Sequence, residues 1–235
     1  MRVKVSNKGQ AEAGFTLVEI AIVLVIIGLL LGGILKGQEM ITQAKIKNVI
    51  NDFNGITAAV TSYQDRYRQL PGDDQTANAR WASLSPAPLS GNGNGSITGL
   101  YNANDTSGPS QAPGANAESN LFWQHLRIAG FVPGPTIGLG SGTPPQNATG
   151  GLVGVETGVP GTNGLGFTSL IVCTSNLPDK VAVAVDTQMD DGSAALGAVR
   201  GQLQAGANPP TAGTAPASNY QETGTNSYLL CKGLI

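Results

Sequence analysis

From Phe15 to Leu35 the chain is apolar and carries a single charge, Glu19. A run of this length meets the requirement of about 20 residues for a helix that crosses a hydrocarbon core. A short polar leader with Arg2, Lys4 and Lys8 precedes it. A removable secretory signal has a shorter apolar core and a small-residue cleavage site after that core. Here the candidate cleavage point, Gly14, lies before the run, so the hydrophobic helix would stay with the mature protein. The helical pattern then changes character. Ile46, Val49, Ile50, Phe53, Ile56, Val60, Tyr63 and Tyr67 recur at steps of three and four, the period of a helix with one buried face. Gly55 is the one helix breaker in that half, and Leu70-Pro71-Gly72 ends the element because proline biases its predecessor out of the helical region. Continuous from Phe15 to Gln69, the helix would be roughly 80 Å long at 1.5 Å per residue. Its first half belongs in lipid or in a bundle of identical helices, and its second half lays an apolar stripe on a globular head.

Beyond residue 70 short elements alternate with connectors. Residues 77–84, with Trp81, read as a short helix, followed by turns at Pro86, Pro88 and Gly91-Asn92-Gly93-Asn94-Gly95. Glu118 to Ala129 reads as a helix capped by Ser119 or Asn116, with Leu121, Phe122, His125, Leu126 and Ile128 mostly on one side and Gly130 at its end. From Pro133 to Gly166 the Gly, Pro, Thr and Asn content predicts a long surface excursion, and 204–226 predicts another loop. Phe167–Cys173, Lys180–Thr187 with its alternating Val181, Val183 and Val185, and Tyr228–Cys231 read as strands of a small antiparallel sheet. The expected class is α+β. Its parts are a leader (1–14), the transmembrane half (15–35) and the amphipathic half (36–69) of one long N-terminal helix, and a head (70–235) with long Gly/Pro-rich loops.

An acid inside a spanning helix costs a few kcal/mol or more unless it finds a partner, by an estimate of about 2.5–3.5 kcal/mol at the helix centre. Cleavage after Gly14 would create one, the cationic α-amine of Phe15. That amine is too close to Glu19 on a rigid helix to pair easily with it, yet well placed to meet the Glu19 of a neighbouring copy. The competing reading is a signal anchor with Glu19 at headgroup level and the basic leader on the cytoplasmic side. Gly28 with Gly32, and Gly33 with Gly37, make small-xxx-small spacings that let helices approach closely in lipid. Ordinary membrane-helix composition accounts for them equally well.

Gly14 followed by Phe15-Thr16-Leu17-Val18-Glu19 and an aliphatic run resembles the N-terminal signal of type IV pilins and of the pseudopilins of type II secretion. The resemblance covers about the first 25 residues. It implies that prepilin peptidase cuts after Gly14 and N-methylates Phe15, and that an inner-membrane assembly platform moves subunits from lipid into a helical filament of copies of the chain and other pilins. It implies a single-pass inner-membrane precursor with a periplasmic head, later an extracellular or periplasmic filament. Pilins often have a helix-melting proline near the position of Lys36, so the four glycines would supply local flexibility instead. Tyr67-Arg68-Gln69-Leu70-Pro71-Gly72-Asp73, Gly91 to Gly95, Glu118 to Leu126, Asp186 to Gly192 and Gly197-Ala198-Val199-Arg200 together resemble a group of bacterial prepilin-like proteins. They imply a pilin-like head and carry no activity of their own. Major pilin, minor pilin with an adhesive role, and pseudopilin remain open.

Composition narrows the remaining classes. The net charge is −2, with +2 on residues 1–14 and −4 on the rest, and no basic patch follows the helix, so nucleic-acid attraction is unsupported. Only 12% of residues are charged, with 33 glycines and 14 prolines, a loop-rich head. Cys173 and Cys231 are the two cysteines, and beyond an inner membrane they read first as a disulfide, with a metal or redox pair as the competitor. Ser90, Asn92, Asn94, Gly95 and Ile97 echo a calcium loop, but Tyr101 stands where the bidentate Glu belongs. Asp186, Asp190 and Asp191 form a second oxygen cluster, read as a metal site or as a turn paired with Arg200. His125, the only histidine, reads as packed or surface-lying rather than as a general base, and Asp73-Asp74 and Asp190-Asp191 as turn-forming acids. Trp81, Trp123, Tyr63 and Tyr67 read as core between helix and sheet. No cofactor and no catalytic set is expected, which makes the chain a structural subunit rather than an enzyme.

Overall fold

The structure, a computed structural model, describes residues 16–103, 117–216 and 218–234. The chain divides into two compact units, Met1–Gln43 and Ala44–Ile235. One helix, α1 (Leu17–Tyr67), runs through both without a proline.

In the first unit α1 has no apolar partner among the described residues. Every large hydrophobic side chain from Leu17 to Leu35 is exposed, between 45% and 90%. This is the one helix among the described residues long and apolar enough to cross a membrane, with a mean hydropathy of 2.8 over its most apolar stretch. In the second unit Ile46, Val49, Phe53, Ile56, Ala59, Val60 and Tyr63 are buried, the stripe that the three-and-four spacing predicts. The helix stops at Tyr67, two residues before the expected Gln69. Arg68 takes a left-handed backbone (φ 55°) and its N–H bonds the Gln64 carbonyl, so the chain has turned before proline is reached.

Four antiparallel strands form the sheet in the order β1-β2-β4-β3: β1 (Val153–Thr157), β2 (Leu170–Pro178), β3 (Val199–Leu203) and β4 (Ser227–Gly233). Side-chain alternation divides it cleanly. Val153, Val155, Leu170, Val172, Val199 and Leu230 join the α1 stripe in the main core. Ile171, Cys173, Leu229 and Cys231 point into a second cluster closed by Tyr101 and Leu165. Cys173 and Cys231 are opposite each other on β2 and β4 and are joined as a disulfide. The expected long helix on a small antiparallel sheet is therefore present.

Four expectations are corrected. Lys180–Thr187 is not a strand but the middle of α4 (Asp179–Met189), which buries Val181, Ala182, Val185 and Asp186 on one side. Val181 and Val185, four apart, share a helix face, whereas Val183 fits only the strand period, and the helix follows β2 directly at Pro178. The 133–166 excursion contains β1, and Val199–Leu203 adds β3, both too short to stand out from Gly-rich surroundings. The helix expected over 77–84 is the single turn α2 (Ala77–Arg80). Finally, α3 (Glu118–Ile128) is buried all round, Glu118 through Arg127, rather than on one face. Its N-cap is Ala117, with no side-chain bond, and Asn116 lies outside the described residues. Thr98, from another segment, takes over the cap: its carbonyl accepts the Ser119 N–H at 3.0 Å and its hydroxyl the Glu118 N–H at 3.4 Å.

Candidate functional site

The start of α1 holds the acid on which the sequence reading turns. Gly14 and Phe15 lie outside the described residues. Thr16 and Glu19 cap the helix reciprocally: the Thr16 N–H and hydroxyl both donate to Glu19 Oε2 at 2.8 Å, and the Glu19 N–H donates to the Thr16 hydroxyl at 3.2 Å. This is a capping box, and the sequence shows it as Thr-x-x-Glu. The reading of Glu19 as an acid in need of a partner missed it. Two bonds from Thr16 already satisfy one carboxylate oxygen, while Oε1 accepts no bond among the described residues. Farther along, a Cβ built on Gly28, Gly32, Gly33 or Gly37 meets nothing within 4 Å. No contact among the described residues therefore explains these glycines.

The head's polar motifs converge at the end of α1. Asp73 is buried and its carboxylate accepts the N–H groups of Gly93 (2.5 Å), Asn94 (3.2 Å) and Gly95 (2.7 Å). The Gly91–Gly95 turn is thus an anion nest for a side chain of the same protein. A cation needs oxygens at the centre of its loop, whereas this loop presents donors to Asp73, as a turn does. Gly91 is required here, since a Cβ on it would sit 2.4 Å from Asp73 Cα and the Gly72 carbonyl. Glu118 clamps the same loop from α3, accepting the Asn92 N–H at 3.0 Å and the Thr98 N–H at 2.9 Å.

Next to it, Asp74 is wholly buried and accepts the Tyr63 hydroxyl at 2.7 Å, the Thr76 N–H and hydroxyl, and a short bond from Arg80. Burial pushes the Asp74 carboxyl up, but Arg80, Tyr63 and Thr76 outweigh it and hold it below the ordinary carboxylate range. His125 is fully buried, its ring stacked on Tyr63 at 6.4 Å. Nδ1 accepts the Gly72 N–H at 3.0 Å, so it carries no proton, and Nε2 donates to the Leu89 carbonyl at 2.8 Å. Burial accordingly lowers its pKa to about 4. With both nitrogens on backbone groups, the chain's single histidine is unavailable as a base. Tyr67 and Trp81 complete the ring cluster and Arg80 lies 4.3 Å above the Tyr67 ring. These aromatics gather around the end of α1 with His125 and Phe131, rather than only between helix and sheet.

Two other charged groups organise loops. Arg127 donates to four carbonyls, of Pro133, Gly140, Ser141 and Thr143, and so pins the excursion that leads into β1. Carboxylate oxygens of Asp186, Asp190 and Asp191 lie within 4.8 Å of one another. Asp186 accepts the Gly192 N–H and the Tyr220 hydroxyl, Asp190 the N–H groups of Ala198 and Val199, and Asp191 that of Ser193. The turn is built on these bonds. Arg200 does not pair with it: β3 alternation puts Arg200 opposite Cys231, where it stacks 4.1 Å from the Phe167 ring and donates to the Leu165 carbonyl at 3.0 Å.

Residues 9–35 match the family model described as the prokaryotic N-terminal methylation motif, which shows the pilin-type resemblance of that segment. The major type IV pilin PilA1 from Clostridium difficile is a similar solved structure at 10% identity, covering 83% of this chain and 97% of its own. Its TM-score of 0.34 establishes neither a shared fold nor a shared role. No curated protein matches the chain significantly.

Proposed function

We propose that the chain is a structural subunit of a type IV pilus or a pilus-like filament, made as a membrane-anchored precursor and polymerised through α1. The observation that carries this reading is the methylation motif at 9–35 on a helix whose large apolar side chains from Leu17 to Leu35 are exposed. Prepilin peptidase cuts after Gly14 and methylates Phe15. In lipid the apolar run spans the inner membrane with the head in the periplasm. In the filament, helices of neighbouring copies and other pilins replace lipid, and the free Oε1 of Glu19 meets the α-amine of another copy's Phe15. The Thr16 capping box holds that carboxylate in place before the partner arrives. The glycines from Gly28 to Gly37 give the close approach, and an inner-membrane platform drives the transfer.

Edman degradation of the protein from its native host should begin at Phe15, and Gly14→Ala should abolish that processing. Glu19→Ala should leave a processed, membrane-inserted chain that is missing from sheared fibres. Normal fibre entry by Glu19→Ala would refute the charge pair, and a mature N-terminus other than Phe15 would refute the filament reading. Fibres on the surface indicate a pilin, and a filament confined to the periplasm indicates a pseudopilin.

A further inference from the structure

A cleft of about 290 Å³ opens beside α1 in the head. Ile56, Trp123, Phe131 and Val153 line it, with Gly55 and Asp52 on the helix. Three features of the cleft have no explanation among the described residues. Gly55 lies in a helix interior, where glycine costs about 1 kcal/mol relative to alanine, yet a Cβ there would meet nothing within 4 Å. Trp123 is fully buried, and its indole N–H has no hydrogen-bond partner. Asp52 is half-buried and forms no ion pair or side-chain hydrogen bond among the described residues; burial raises its carboxyl above the ordinary range.

A complementary surface exists on α1 itself. Lys36 and Met40 are one helical turn apart on the same face, and Met40 is 65% exposed beyond the apolar run. Asp52 and Ile56 have that same spacing, with the acid N-terminal to the apolar position as Lys36 is to Met40. Copies inserted in one membrane share one orientation, so their helices run parallel. A parallel stagger of sixteen residues, about 24 Å, then brings Lys36 to Asp52 and Met40 to Ile56 together. Among the described residues Lys36 is engaged only by Glu39, with both side chains mostly exposed, a pairing that costs little to give up. The thioether of methionine is a weak acceptor, favours aromatic rings and adapts to irregular gaps.

We propose that this cleft is a socket for α1 of a second copy of the chain, with that copy's Met40 seated against the half-buried Phe131 and its Lys36 paired with Asp52. Gly55 lets the two helices come close. The inference rests on the filament reading and adds to it a head-to-helix contact with a defined register.

The test uses the full chain in its native host, where Cys173 and Cys231 are already bonded to each other. Oxidation of intact cells carrying Met40→Cys with Gly55→Cys should give disulfide-linked multimers on non-reducing gels. Either substitution alone, or Ile41→Cys with Gly55→Cys, should give none. Asp52→Lys should lower fibre yield by roughly tenfold or more, as like charges meet at every contact, and Lys36→Asp in the same chain should restore it. Fibres that form without the cross-link, and are indifferent to Asp52→Lys, would overturn the socket and leave the filament reading standing. Absence of fibres from the parent strain would overturn the filament reading. In that case the socket, which needs staggered copies in a filament, falls with it.

Discussion

The two halves of α1 belong to one unbroken helix and meet opposite fates. From Leu17 to Leu35 the large apolar side chains have no cover, whereas Ile46, Val49, Phe53, Ile56, Val60 and Tyr63 are buried in the head. The first half is apolar on all sides, which suits a solvent or a set of copies surrounding it. The second is apolar on one stripe, which suits a single partner supplied by its own chain. Polar groups follow the same division. In the first half Glu19 and Thr16 satisfy each other locally, while in the second Tyr63 reaches Asp74, and Asp73, Glu118 and His125 tie the adjoining loops to α3. Where the apolar surface is exposed, the chain keeps its polar chemistry local; where burial is complete, it builds long-range polar contacts.

Substitution of matched positions tests this contrast most directly. Phe53→Ala should destabilise the detergent-solubilised chain by about 3–5 kcal/mol, lowering the thermal midpoint of the head by several degrees, while Leu30→Ala should leave that midpoint unchanged. Equal effects would mean that the first half is also packed within the chain. The disulfide comes next. It closes a loop of 58 residues between strands already paired, and in the chain-entropy model its removal by Cys173→Ala with Cys231→Ala costs about 4 kcal/mol. Calorimetry should show the head melting earlier while α1 still inserts in membranes.

The smallest effect is on pH dependence. His125 titrates near 6.5 when unfolded and at about 4 in the fold, so between those values the unfolded chain binds the extra proton. Stability should therefore fall as pH drops from 6.5 to 4, by about 3 kcal/mol at 1.36 kcal/mol per unit. Glu156 and Asp186, raised chiefly by burial, act in the opposite sense because the folded state holds their protons longer. Comparison with His125→Gln isolates the histidine. If the difference between the two thermal midpoints does not change across that window, the neutral buried ring is wrong.

Legibility followed the range of the interaction. The stripe from Ile46 to Tyr63 is legible because its period is local, and so is β4, with alternating residues that face two cores. Lys180–Thr187 reads as a strand because Val181, Val183 and Val185 alternate, and what selects the helix is the surface that Val181, Ala182 and Val185 cover. The capping box is legible as Thr16-x-x-Glu19, since both partners lie within one helical turn. The nest around Asp73 could be seen only as a turn, since nothing in Gly91 to Gly95 names the carboxylate some twenty residues upstream that fills it.

The amino-acid order alone determined that a long apolar helix begins at the N-terminus, that its second half is amphipathic, and that an α+β head follows, because hydrophobic period and length are properties of neighbouring residues. Tertiary structure decided the rest. It set the strand order β1-β2-β4-β3 and the complete burial of α3, brought the scattered Asp73, Asp74, Glu118 and His125 into one polar knot, and left a cleft beside Gly55. These depend on which distant donors and apolar faces meet when the chain closes, and pairing between distant residues leaves no period for a sequence to display.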